Sequence, residues 1–88
     1  MDEHKIVGTQ DTAFKTKDGQ MMEGKTVYTE QSIPPGRGAG YRTDKFFLSA
    51  AKLAALDFQP SVGDTVQVLY NRWGRVQTIR LVDVIDIG

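Results

Sequence analysis

Residues 14–28, FKTKDGQMMEGKTVY, restrict the fold more than any other stretch of the chain. Asp18-Gly19 supplies the positive φ that a tight hairpin turn requires. Strand-favouring residues lie on both sides of it. Upstream, residues 5–16 include Ile6, Val7, Thr9, Thr12, Phe14 and Thr16, with Gly8 placed to form a bulge or bend. Downstream, a second strand over 21–33 contains Gly24, where a curled strand would bend sharply. Two long bent strands joined by a tight turn predict a barrel.

The rest of the chain completes that pattern. Residues 34–40, PPGRGAG, break any sheet, because proline removes backbone donors and glycine raises the entropy cost of ordering. A third strand is expected over 41–48. Ser49 then has the character of a helix N-cap for the alanine-rich segment 50–56, with Leu53 and Leu56 spaced to face a core. A fourth strand over 65–71 alternates Val66 and Val68 with polar Thr65 and Gln67, so one of its faces is buried. Arg72-Trp73-Gly74-Arg75 forms the next turn. A fifth strand is expected over 76–87, with a register break near 82–85 where alternation fails. Three strands, a short helix and two strands is the connectivity of an all-β (mainly β with one short helix), five-stranded OB-fold-like Greek-key barrel, with the helix between strands three and four. An SH3-like barrel or another small β-roll has the same order of elements.

At 88 residues the chain forms one domain with one small core. No apolar run reaches the length of a membrane span, and the acidic start MDEHKIVG does not read as a secretory signal, so a soluble cytoplasmic protein is expected. The absence of cysteine removes disulfides and thiolate metal sites. The single histidine, His4, is expected to be a solvated side chain near the terminus and makes neither a triad nor a metal site. The glycine loop lacks the spacing of a phosphate-binding P-loop. No enzymatic activity, cofactor or metal is expected.

Charge and aromatic residues carry the functional signal. The net charge is zero, yet Arg37, Arg42, Lys45, Lys52, Arg72, Arg75 and Arg80 face only Asp44, Asp57 and Asp64 between residues 34 and 80, a local excess of four cations. The acids Asp2, Glu3, Asp83 and Asp86 gather at the chain ends. Trp73, the only tryptophan, sits at a turn between two arginines. Bases stack on aromatic rings for about 1–3 kcal/mol each while guanidinium groups neutralise adjacent phosphates, a combination suited to single-stranded nucleic acid. Packing of Trp73 on its own barrel or in a dimer interface remains the other reading. Tyr28 and Tyr41 are stacking candidates, although a tyrosine in a strand more often has its ring half buried and its hydroxyl in water. Adjacent Phe46 and Phe47 point to opposite faces; with Phe46 inside, Phe47 shares the outer face with Tyr41, Thr43 and Lys45. Phe14 and Phe58 are expected in the core.

Phe14, Thr16, Lys17, Gly19, Gly24, Lys25 and Tyr28 resemble the pattern F-x-T-[KR]-x-G-x4-G-K-x-Y of the filamentous-phage single-stranded-DNA-binding, helix-destabilising proteins, with one additional residue between Lys25 and Tyr28. Trp73-Gly74 is similar to that family's aromatic-glycine pair on a late hairpin, and Arg80-Leu81-Val82 to its closing strand. The resemblance implies an OB-type barrel, a homodimer, and cooperative coating of single strands in DNA replication. It also implies base stacking by Tyr28, phosphate contacts by Lys17 and Arg80, and a Trp73 that reaches DNA held mainly by a neighbouring subunit.

Together these readings predict sequence-tolerant binding of single-stranded DNA by a homodimer, with no membrane and no small-molecule cofactor. The expected contacts are Lys17, Lys25, Tyr28, Arg37, Tyr41, Arg42, Lys45, Arg72, Trp73, Arg75 and Arg80. A small β-barrel protein–protein interaction module, or an RNA-binding variant, is the alternative.

Overall fold

In a computed structural model, residues 3–82 are described. Strand β1 (Glu3–Lys15) turns into β2 (Met21–Ser32), and β3 (Tyr41–Ser49) leads directly into helix α1 (Ala50–Ala54). Strands β4 (Thr65–Tyr70) and β5 (Val76–Leu81) follow. The expected order of elements is therefore present, and the part of the fifth strand anticipated beyond residue 82 lies outside the described residues, as does its register break. All ladders are antiparallel and join into one sheet of order β3-β2-β1-β4-β5. Among the described residues no ladder joins β3 to β5, so the sheet is open at that seam.

Local chemistry explains the connections. The β1–β2 turn uses Gly19 at φ 84°, and Thr16 N–H donates to the Gln20 carbonyl across it at 2.8 Å. The Thr16 hydroxyl also donates to the Asp18 carboxylate, and that bond holds the Asp18 carboxyl below its ordinary value of 3.8. The resulting stabilisation is present above that ordinary value and is lost as pH falls through the lowered folded value. Ser49 caps α1 as its sequence indicates, its hydroxyl accepting from Lys52 N–H at 3.3 Å. The helix ends two residues before the expected 56, and Leu53 and Leu56 pack against the core from its end.

The core is a single cluster of Ile6, Val27, Leu48, Val66, Val68 and Ile79, drawn from every strand. Phe46, Leu53, Leu56, Phe58, Val76 and Leu81 pack around it. Five flat strands would place β3 and β5 about 19 Å apart. Here the Lys52 ammonium on α1 donates to the Val76 carbonyl at the start of β5 at 2.9 Å. The sheet is thus curled, with α1 and the segment after it lying across the seam between its two ends.

A bulge in β1 decides which residues face this core. Ile6 pairs with Thr29 and Gly8 with Tyr28, so Val7 is the extra residue and the alternation shifts by one position. Before the bulge His4 and Ile6 point inward; after it Thr9, Asp11 and Ala13 take the core side. Phe14, expected in the core, therefore lies on the outer face, 44% exposed and edge-to-face with Phe47 at 5.3 Å between ring centroids. His4 also departs from expectation. Strand pairing begins at Glu3, so the terminus is held in the sheet, and His4 is only 2% exposed, with Nδ1 3.0 Å from Thr29 Oγ1. Its Nε2 has no hydrogen-bond partner among the described residues.

Gly24 fixes how closely β3 approaches β2. A Cβ added there would lie 2.1 Å from the Leu48 carbonyl oxygen and 2.8 Å from Phe47 Cζ, and a backbone oxygen in a paired strand has nowhere to move. At Gly8 an added Cβ would meet only the Tyr28 ring, at 3.6 Å, an ordinary contact. Gly24→Ala is expected to destabilise the domain by at least about 1–3 kcal/mol, whereas Gly8→Ala changes stability by less than about 1 kcal/mol. Urea unfolding of the two variants checks this contrast.

Candidate functional site

Strand register divides the expected contacts between two faces and two ends of the sheet. On the outer face, Tyr28 stands directly opposite Gly8 on one side and Lys45 on the other. The next pair along, Thr26 with Phe47, keeps the same face, as do Thr43 and Tyr41. Phe47 thus joins Tyr41, Thr43 and Lys45 there, and Phe46 packs inward. A groove of about 530 Å³ opens between these strands, lined by Val7, Tyr28, Thr29, Thr43, Asp44 and Lys45.

Tyr28 is the best-positioned aromatic. The absence of a side chain at Gly8 lets the tyrosine ring lie against the β1 backbone, where a hypothetical Gly8 Cβ would be 3.6 Å from Cδ2. The hydroxyl donates to Gln10 Oε1 at 3.0 Å, which fixes the ring from its far end. The residue remains 36% exposed. A ring held at both ends, with part of its surface open and an ammonium group on the neighbouring strand, can accept a flat π-system beside an anion without reorganising.

Trp73 belongs to the β4–β5 turn, where Asn71 Oδ1 accepts from the N–H groups of both Trp73 and Arg75, at 2.9 and 3.0 Å, and Gly74 takes φ 78°. This Asx-type turn holds the backbone of the tip rigidly. The indole is 71% exposed, and the Arg72 guanidinium lies 4.4 Å from its ring centroid. The alternative reading in which Trp73 folds back onto its own barrel therefore does not describe this conformation. One ring face is occupied by an arginine that also carries an anion-binding group, so cation and π-surface are presented together.

The remaining expected contacts are dispersed. Register places the Arg37 loop and Tyr41 at one end of the β1–β2–β3 ladder and Lys17, in the β1–β2 turn, at the other, while the Trp73 turn leads into Val76, which the Lys52 ammonium holds near the end of β3. Lys25 points to the core side, away from Tyr28, where its ammonium pairs with Asp11 at 2.7 Å. The reason is parity, since residues three apart in a strand face opposite ways. Arg42 is likewise on the side opposite Tyr41 and Lys45, with Nε donating to Gln31 Oε1 at 3.1 Å. Arg80 is exposed on the outer face of β5, opposite Gln67. An acid interrupts the outer face as well, since Glu30 pairs with Thr43 and with Lys5, while Asp44, at the groove, belongs by register to the side that Arg42 takes. Sequence reading missed Gln10, which anchors Tyr28, and Phe14, which extends the aromatic surface through Phe47; the shifted alternation after the bulge was the signal for both.

Among the described residues, no group of three or more histidine, cysteine, aspartate or glutamate side chains is arranged to hold a metal ion, and no helix is long and apolar enough to cross a membrane. No family model, curated protein or solved structure matches the chain.

Because the indole touches little besides Arg72, Trp73→Ala is expected to lower stability by less than about 1 kcal/mol. A thermal transition that moves further would show that the indole is structural.

Proposed function

We propose that this protein binds single-stranded DNA without sequence preference, as a non-enzymatic OB-type domain that acts as a homodimer and is related in mode to the filamentous-phage helix-destabilising proteins. The observation that carries this reading is Tyr28: a ring braced on Gly8 and Gln10, half open, with Lys45 directly across the ladder in a groove of about 530 Å³. Exposed Trp73 under Arg72 supplies a second pairing of the same kind at the end of the sheet. The strand order supports the fold part of the proposal, since β3-β2-β1-β4 is the spatial order of a Greek key and the curled sheet with a helix across its seam is the layout of a partly open five-stranded barrel.

In this mode the tyrosine and tryptophan rings stack bases, while Lys45, Arg72, Arg75 and the loop residue Arg37 neutralise phosphates. Stacking tolerates any base because each has a π-face, and the mixed charge of the surface makes affinity depend on a few phosphates rather than on a broad basic field. Lys25, engaged with Asp11 on the other side of the sheet, takes no part in this arrangement.

Titration with oligo-dT, followed by the fluorescence of the single tryptophan, tests the proposal. Quenching at low salt is expected, with log K falling linearly in log salt. Tyr28→Ala is expected to weaken binding about 5- to 150-fold, matching a stacking contribution of about 1–3 kcal/mol, with the fold intact, and Lys25→Ala to leave binding within about twofold of the parent. No quenching, or binding indifferent to salt, would refute the reading and leave a protein-interaction module as its replacement; stronger binding of oligo-rU than oligo-dT would reassign the ligand to RNA.

A further inference from the structure

Strand β3 is an edge strand, and its first five residues, Tyr41-Arg42-Thr43-Asp44-Lys45, are all exposed. Their only ladder is with β2. Strand β5 does not close over them: the Lys52–Val76 hydrogen bond sets the start of β5 beside the far end of β3, and β5 then runs in the same direction as β3, away from Tyr41. An open edge of this kind is a template for another strand unless its residues oppose pairing.

The direction of the backbone groups on this edge is fixed by two contacts. Ile33 N–H donates to the Gly40 carbonyl at 2.9 Å, continuing the ladder that pairs Ser32 with Tyr41, and the Leu48 carbonyl approaches Gly24 on β2. Even-numbered residues of β3 therefore turn their N–H and C=O groups toward β2. Those of Tyr41, Thr43 and Lys45 turn outward and have no ladder partner among the described residues.

We propose that this edge is a self-complementary interface, at which a second copy of the chain pairs antiparallel with β3 about a two-fold axis through Thr43. In that register the outward backbone groups of Thr43 meet their own equivalents, and those of Tyr41 meet those of Lys45 in the second copy. Arg42 then stands opposite Asp44 of the second copy, and Asp44 opposite its Arg42, while Tyr41 stands opposite Lys45. Apart from Thr43 with its own equivalent on the axis, each cross-strand pair is thus of opposite charge or cation on aromatic, the combinations that stabilise neighbouring strands. Of the neighbouring two-fold registers that keep the faces aligned, those centred on Arg42, Asp44 and Lys45 put like charges on the axis, and the one centred on Tyr41 carries the strand pairing into the glycine loop and leaves Arg42 with no Asp44 opposite it. The sequence therefore selects one pairing and disfavours the others, beyond what simple charge-blunting of an edge needs.

The charges are available for this role. Among the described residues the only ion pair is Lys25–Asp11, so neither Asp44 nor Lys45 is engaged in one, and the Arg42–Gln31 bond uses only one of five guanidinium donors. The pairing spans five residues and stops before α1 in both copies, so association is weak and concentration-dependent. Its result is one continuous sheet in which Tyr41 of the second copy lies beside Lys45 and extends the face that carries Tyr28. The inference rests on the homodimer in the proposed function and specifies its geometry.

Sedimentation velocity over a wide concentration range, without nucleic acid, tests it, so that its failure and the failure of DNA binding are separate results. The parent protein is expected to move from monomer toward dimer as concentration rises. Arg42→Asp and Asp44→Arg are each expected to weaken association by about tenfold, because two attractive pairs become repulsive. The double reversal restores attraction across the axis and is expected to recover association to within about threefold. Thr43→Cys supplies a direct check in a chain without other cysteines: paired residues on the axis have Cα atoms about 5.5 Å apart, within disulfide range, so oxidation gives a covalent dimer. An unchanged circular dichroism spectrum shows that these exposed substitutions leave the fold intact. A parent that stays monomeric at every concentration, single reversals without effect, or a double reversal no better than the singles would each overturn the proposal.

Discussion

The bulge at Val7 governs more of this molecule than any single contact in its core. One extra residue in β1 lets the same strand bury His4 and Ile6 near its start and then present Gly8, Gln10 and Phe14 on the opposite face. Strand β2 has no such shift and keeps Val27 and Thr29 inward throughout its pairing with β1 and β3. Tyr28 consequently meets a glycine across the ladder, and that coincidence gives the ring both a floor and an open side. A regular strand would have turned Phe14 toward the core side and left Tyr28 opposite a different residue.

Close approach is the second constraint. Gly24 admits the β3 backbone where any side chain would collide with Leu48, and this brings Phe47 over the hairpin, where it meets Phe14 edge-on. Burial is concentrated near the other half of the sheet, with the fully buried side chains of Ile6, Val27, Leu48 and Val66 forming the centre of the core. Polar contacts on the outer face link β1 to β2, such as the exposed Tyr28–Gln10 and the part-buried Thr12–Thr26 at 2.8 Å. They orient side chains rather than supply the main stabilisation, which comes from the apolar cluster.

Much of this was legible in the sequence because the signals are local. Asp18-Gly19 marks its turn, Ser49 its helix cap, the paired prolines their loop, and Val66 and Val68 the buried face of a strand; each depends on residues within a few positions. Gly8 likewise announced a bulge. What the bulge does to everything downstream was not read, because parity must be counted through it. That omission sent Phe14 to the core; grouping Lys25 with Tyr28 was a separate matter of parity within β2, where residues three apart face opposite ways. His4 was misplaced for a different reason: whether a terminal segment frays depends on a partner, here Val66, sixty-two positions along the chain. The Lys25–Asp11 pair and the Arg72–Trp73 stack are also consequences of pairing and turn geometry that composition alone leaves open.

The Gly24 contact also sets where the structure gives way. On the core side of that point β2 is flanked by β1 and β3, and buried residues secure it; on the turn side, from Ala13 to Met22, the ladder has only two strands and little buried surface. Free energies of local opening scale with what must be exposed, so amide protons of the distal ladder exchange with solvent through partial openings that leave the rest of the sheet intact, whereas those beside Val27 exchange only through global unfolding. A single pair of strands thus contains both the slowest and some of the fastest exchanging amides of the domain, and the arm bearing Lys17 can fluctuate on its own timescale while the platform around Tyr28 stays fixed.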